Sequence, residues 1–205
     1  MNAAQFSCGD FLDALASKSP TPGGGGASAL VGALGAALAS MVGNYTLGKQ
    51  KYAGVEAEIR ALMVRTEELR TRLLAQVDAD AAAFEPLSRA YAIPKDDPAR
   101  GEVMERCLRE AAAPPMEILR LSCQAIDLHQ AMLEKGSSMM LSDIGTGVVF
   151  CWSALYGALL NVKVNTKSMS DREYAGAMNA EADALAEKYG KIARQVYESV
   201  MGRYS

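Results

Sequence analysis

Lys49 stands between two tyrosines in the run Asn44-Tyr45-Thr46-Leu47-Gly48-Lys49-Gln50-Lys51-Tyr52. An amine beside phenols can polarise a leaving group or carry a proton once burial lowers its pKa. Read as a helix at about 100° per residue, the run puts Tyr45, Lys49 and Tyr52 on one face and Asn44, Gly48 and Lys51 on another. The same residues also read as a basic helix C-terminus that complements the dipole. Asp143, in Ser142-Asp143-Ile144-Gly145-Thr146-Gly147, is a lone carboxylate in an uncharged stretch. It is either a buried acid or base, sharing a face with Thr146 and Gly147, or a charge on a helix N-terminus. Asp78 and Asp80 lie in an alanine-rich run, where a solvated helix surface is the competing explanation.

Pro20-Thr21-Pro22-Gly23-Gly24-Gly25-Gly26-Ala27-Ser28-Ala29 opens glycines onto a helix start. Free backbone N–H groups and the helix dipole favour an anion or polar group there. The lysine-hydroxyl pair of a nucleotide P-loop is missing, which excludes that reading and leaves a flexible connector as the alternative. Cys8, Cys107, Cys123 and Cys151 form no CxxC pair, and His129 is the single histidine. A zinc site needs several such ligands at short spacing, so no metal is expected. His129, alone among helical charges, reads as a surface residue.

These groups must be positioned by helices, because no run of alternating β-branched residues with hairpin turns occurs. The spacing predicts a short helix over Phe6 to Lys18, ended by the prolines of Ser19-Pro20-Thr21-Pro22. A helix follows from Ala27 to Lys49, then a long charged one from Val55 to Tyr91 that Pro86 should kink or split. After a turn at Pro94 and Pro98, a helix from Ala99 to Glu134 should bend at Pro114-Pro115. Gly136-Ser137-Ser138 is a turn with capping chemistry, a second nearly uncharged helix runs from Met139 to Val162, and Ser170-Asp171 caps the last helix, toward Met201. The expected architecture is all-α, a single domain (1-205) built as a bundle of about six helices around two low-charge central ones. Gly32, Gly35, Ala36, Ala39, Ser40 and Gly43 in the first central helix suggest close approach to a neighbour.

With 205 residues, half of them hydrophobic, the chain can bury a core without disulfides. The net charge of −3 is spread along the chain, which argues against a nucleic-acid partner. Met1-Asn2-Ala3-Ala4-Gln5 has no basic n-region or apolar h-region, so no signal peptide is expected, and free thiols suit a reducing cytoplasm. Ser19 to Gly48 is uncharged and long enough to span a bilayer. Ala27 to Gly43, however, is mostly Ala, Gly and Ser, and the expectation is a buried central helix and no membrane.

Taken in order, these segments resemble the cyclodeaminase/cyclohydrolase family. The carrying residues are Pro20-Thr21-Pro22-Gly23-Gly24-Gly25, Met41-Val42-Gly43-Asn44-Tyr45-Thr46-Leu47-Gly48-Lys49, Asp78-Ala79-Asp80-Ala81-Ala82-Ala83-Phe84 and Ile93-Pro94-Lys95. Ser142-Asp143-Ile144-Gly145 and Leu160-Asn161-Val162-Lys163-Val164-Asn165 complete the set. The likeness spans nearly the whole chain. It implies an all-helical homodimer acting on a tetrahydrofolate, with no cofactor beyond that substrate. Lys49 and Asp143 become the expected catalytic pair; Thr21, Gly23, Gly24, Gly25, Asn44, Tyr52, Asp80, Asn161 and Asn165 become substrate contacts. Gln50, where relatives often continue a lysine run, leaves open whether Lys49 or Lys51 is the important amine, and Ile144 replaces a smaller residue.

The expected activity is hydrolysis of 5,10-methenyltetrahydrofolate to the 10-formyl form, because deaminases commonly work beside a formiminotransferase and none is attached here. Formiminotetrahydrofolate cyclodeaminase and a non-catalytic folate-binding helical protein are the rivals. One constraint is geometric. From Gly26 to Lys49 a helix would be roughly 35 Å long, so its two ends cannot line one small reacting centre. Either an extended folate spans several helices or antiparallel neighbours bring opposite ends together, and a site at a two-fold interface is the favoured resolution.

Overall fold

The computed structural model describes residues 3–204. It contains α1 (Cys8–Ala16), α2 (Gly24–Asn44), α3 (Glu56–Ala90), α4 (Arg100–Lys135), α5 (Leu141–Lys167) and α6 (Arg172–Met201), with no strand among the described residues. Short 3-10 turns precede α1, α3 and α5. Ser7 caps α1 by accepting from Asp10 N (3.1 Å), and Asp171 caps α6 by accepting from Tyr174 N (2.9 Å). Each side chain supplies an acceptor to a backbone donor that has none within its helix.

Several boundaries differ from the sequence reading for local reasons. The helix α2 begins inside the glycine run, with Gly24, Gly25 and Gly26 forming its first turn. It also stops at Asn44 and does not continue to Lys49. Gly48 takes φ +72°, a left-handed conformation that an α-helix cannot include. Lys49 is therefore extended and leads into a 3-10 turn over Gln50–Val55, so Tyr45, Lys49 and Tyr52 do not share a helical face. Pro86 lies in an unbroken α3, and Pro114-Pro115 in an unbroken α4. Pro115 has no N–H to give the Ala111 carbonyl one turn back. Asn165 Nδ2 fills that vacancy from α5, donating to Ala111 O at 2.9 Å.

The small residues allow the predicted close packing. α2 and α5 run antiparallel: Gly32 faces Ala154, and a Cβ on Gly35 would overlap Cys151 Sγ and crowd the Gly147 carbonyl at 2.9 Å. The charged helix α4 is as central as either low-charge helix, packing on α2, α3, α5 and α6. His129, on its inner face, is fully buried, which corrects the surface assignment. Its ring fills the space that the missing side chain of Gly147 leaves, and Nε2 lies 3.0 Å from Gly35 O. With that carbonyl as acceptor, Nε2 carries the proton, and Nδ1 is buried without a partner. Burial pushes the imidazole down to about 4, so it is neutral at physiological pH. The segments Gly24–Asn44 and Ser138–Lys167 are long and apolar enough to cross a membrane, and within the bundle both contribute to the shared core.

Candidate active site: two half-sites at opposite ends of the bundle

The N-terminal end of α2 forms a pocket of about 200 Å³ with α3, α4 and α5, lined by Thr21, Gly23, Gly24, Gly25, Asp80, Phe84, Asn161 and Asn165, with Pro20, Ala111 and Val164. Asp80 reaches in from α3 and accepts from Gly26 N at 2.9 Å. Its other oxygen lies so close to Gly25 that any Cβ there would collide with the carboxylate. This is why position 25 is a glycine, whereas Gly24 and Gly26 on either side have room for a Cβ. The sequence reading had set solvated surface against function for Asp80; the residue is half-buried and desolvation raises its pKa, opposed by the Gly26 hydrogen bond. A desolvated carboxylate in a concave site is what ligand binding or proton transfer requires. Asn161 spends its Nδ2 on Gly157 O (2.8 Å) and Asn165 on Ala111 O, which leaves the amide oxygens of these two lining residues free to accept.

The opposite end holds Lys49, Tyr52 and Asp143. Lys49 Nζ stands 5.9 Å from the centre of the Tyr45 ring, and no carboxylate pairs with it among the described residues. Asp143 is half-buried in the first turn of α5, with the Ser142 hydroxyl 3.5 Å away, where the helix dipole favours its charge. Asn44, the last residue of α2, is exposed at the same end. The expected serine caps of α5 are replaced by groups from across the chain. Ser137 N donates to Thr46 Oγ1 (2.8 Å) and Ser138 N to the Tyr52 phenol (3.0 Å).

The structure thus brings Thr21, Gly23, Gly24, Gly25, Asp80, Asn161 and Asn165 together, and gathers Asn44, Lys49, Tyr52 and Asp143 elsewhere. α2 separates the groups by its 21 residues, or about 30 Å. No hydrogen bond or ion pair joins Lys49 to Asp143. Phe84 was missed as a pocket residue, although it lies four residues after Asp80 and so on the same helical face. Ser137 and Ser138 were missed as partners of Tyr52 because 86 residues separate the latter pair. A larger cleft of about 430 Å³ runs between α5 and α6 past Trp152, Tyr156 and Arg194. It contains none of the buried titratable groups, and Lys191 on its wall is paired with Glu187 at 2.6 Å, so the glycine pocket is the better candidate.

The sequence model of the formiminotransferase-cyclodeaminase family matches residues 7–184. A methenyltetrahydrofolate cyclohydrolase from Methylorubrum extorquens is 39% identical over 197 residues, 94% of this chain and 95% of that protein. The formimidoyltransferase-cyclodeaminase of Mus musculus is 33% identical over 165 residues, which are 78% of this chain and 30% of the mouse protein. A solved formiminotetrahydrofolate cyclodeaminase from Thermotoga maritima superposes with a TM-score of 0.84 at 30% identity, covering 96% of this chain and 98% of that one.

Proposed function

The chain belongs to the formiminotransferase-cyclodeaminase family, and from that membership we propose that it hydrolyses 5,10-methenyltetrahydrofolate to 10-formyltetrahydrofolate, as a cytoplasmic homodimer that needs no metal. The observation that carries this reading is the 39% identity to a cyclohydrolase across nearly the full length of both chains.

The chemistry suits the two half-sites. The methenyl carbon between N5 and N10 is an electrophilic amidinium cation. Water adds to give a tetrahedral carbon, the bond to N5 breaks, and the formyl group stays on N10. The pterin edge offers paired N–H donors that match the free oxygen of Asp80 and the amide oxygens of Asn161 and Asn165, while Phe84 covers the ring. A pterin held there puts its reacting carbon only one ring away. The same chain's Lys49 is then far out of reach.

A second copy supplies it. The solvent face of α2 carries Leu34 (48% exposed) and Met41 (39%), continued by its C-cap Tyr45 (51%), with no charge along the helix, and α5 adds exposed Leu160 (66%) and the pocket-lining Val164 (65%). Pairing this face about a two-fold axis perpendicular to α2 reverses the partner helix, which brings the partner's lysine end beside this chain's glycine pocket. In the composite site Asp143 faces the cationic amidinium and the Lys49 ammonium faces the tetrahedral oxygen. The Lys49 ammonium meets charge that develops on that oxygen as water adds, and Asp143 holds and orients the cation for attack.

Methenyl- and formimino-tetrahydrofolate supplied separately, with methenyl absorbance and free ammonia followed, test the assignment. The expected result is methenyl decay far above the spontaneous rate, unchanged by EDTA, with little ammonia. The Thermotoga maritima neighbour favours a cyclodeaminase as second reading, and fast ammonia release without accelerated hydrolysis would establish it. Silence on both substrates would favour a non-catalytic folate-binding protein.

A further inference from the structure

Tyr52 is held in an unusual way for a surface-loop phenol. Its oxygen accepts from Ser138 N at 3.0 Å and lies 3.4 Å from Ser138 Oγ, both on the 3-10 turn that leads into α5. The Ser137 hydroxyl beside them is buried and makes no hydrogen bond of its own. The Lys51 ammonium stands 5.3 Å from the ring centre. The turn over Gln50–Val55 ties Tyr52 N to Lys49 O at 2.9 Å, which fixes the backbones of the two residues relative to each other. The Ser138 N–H donates to the phenol oxygen, the Ser138 hydroxyl lies beside it, and a lysine ammonium flanks the ring. Such a cluster stabilises phenolate over phenol.

We propose that Tyr52 is the group that takes the proton from the attacking water and returns it to N5. The assignment rests on the cyclohydrolase reading above and deepens it. As the water oxygen bonds to the methenyl carbon, the C=N π pair moves onto nitrogen and neutralises the amidinium, while the phenolate accepts the water proton. As the C–N5 bond then breaks, its electron pair goes to N5, and the phenol protonates that nitrogen. The remaining hydroxyl proton leaves to solvent as the formyl C=O forms. The sum is methenyl cation plus water giving formyl product plus one proton, with Tyr52 regenerated.

The phenol is pulled down to about 7 by the Ser138 hydroxyl and then the Ser138 N–H, which together with a smaller contribution from Lys51 outweigh its desolvation. The facing turn carries no charge. Lys51 is the charged group acting on it; Lys49, Asp143, Glu134 and the Lys135–Glu58 and Arg60–Glu56 ion pairs are further charged residues of this end. A base near neutrality is well matched to water activation.

Difference titration of tyrosinate absorbance, wild type against Tyr52→Phe, should show one phenol ionising near pH 7. In kcat-pH profiles the wild-type rate should rise through that same pH. Tyr52→Phe should lose the limb together with roughly 10²–10⁴-fold in kcat. Ser138→Ala, which removes a hydroxyl but keeps the backbone donor, should shift both titration and limb to higher pH with the plateau largely kept, a change that a purely structural latch would not produce. Superimposable tyrosinate titrations, or an active wild type whose kcat and limb persist in Tyr52→Phe, would overturn the proposal while leaving the cyclohydrolase reading intact. A wild type inactive on methenyl-tetrahydrofolate would overturn both.

Discussion

Replacing Lys49 by Met, or Asp143 by Asn, is expected to lower kcat by roughly 10²–10⁴-fold, the range typical of groups acting on charge and proton transfer. The fold should be unaffected. Lys49 lies in a loop beyond the end of α2 and pairs with no carboxylate among the described residues, and Asp143 contacts only a neighbouring hydroxyl at the helix surface. Neither side chain fills core space. For Lys49 the loss should fall on kcat more than on KM, because the tetrahedral oxygen exists only after water has added. Steady-state kinetics beside far-UV circular dichroism check this. A kcat within about threefold of wild type for both variants, a negligible share of a general acid-base contribution, would remove them from the chemistry.

Asp80→Asn separates binding from stability. Loss of a charge-assisted hydrogen bond to the pterin edge should raise KM on the order of 10- to 100-fold, with a smaller change in kcat. Stability should move the other way. Burial holds the folded pKa of Asp80 above its unfolded value. Such a group adds stability only below the unfolded pKa, and that contribution is lost as pH rises through the folded pKa. Above that pH the desolvated carboxylate is therefore a net cost that Asn removes, and the Asn amide oxygen can still accept from Gly26 N. The variant should melt no lower than wild type at pH 7, and its advantage should vanish in acid. Lower melting at neutral pH with unchanged KM would mark Asp80 as structural.

Much of this was legible in the chain. Helix class, the central low-charge pair and the small-residue contact follow from composition and periodicity, because Gly32 and Gly35 have no other use in a helix than to admit Ala154 and Cys151. Asp80 was legible as a site residue only through the family resemblance, and Phe84, on the same helical face, was passed over. What could not be read are the effects of partners far along the chain. Pro115 looked like a bend until Asn165 was seen to supply the missing donor. His129 looked like a surface residue because nothing in its own helix reveals the space above Gly147. The helix end at Asn44 depended on Gly48 adopting positive φ, which one glycine among 18 does not announce. The expected separation of the glycine and lysine ends survived, shortened to the length of α2.

The central claim is that two half-sites from two copies make one methenyl-hydrolysing centre. Lys49→Met and Asp80→Asn chains carrying different affinity tags can be co-expressed, and the mixed dimer isolated through both tags. Each site would combine Asp80 of one copy with Lys49 of the other, so a mixed dimer has one intact site and one doubly altered site. Its kcat/KM for methenyl-tetrahydrofolate is expected to return to about half the wild-type value, from two parents that are each severely impaired. A mixed dimer no more active than the average of its parents would contradict the shared site.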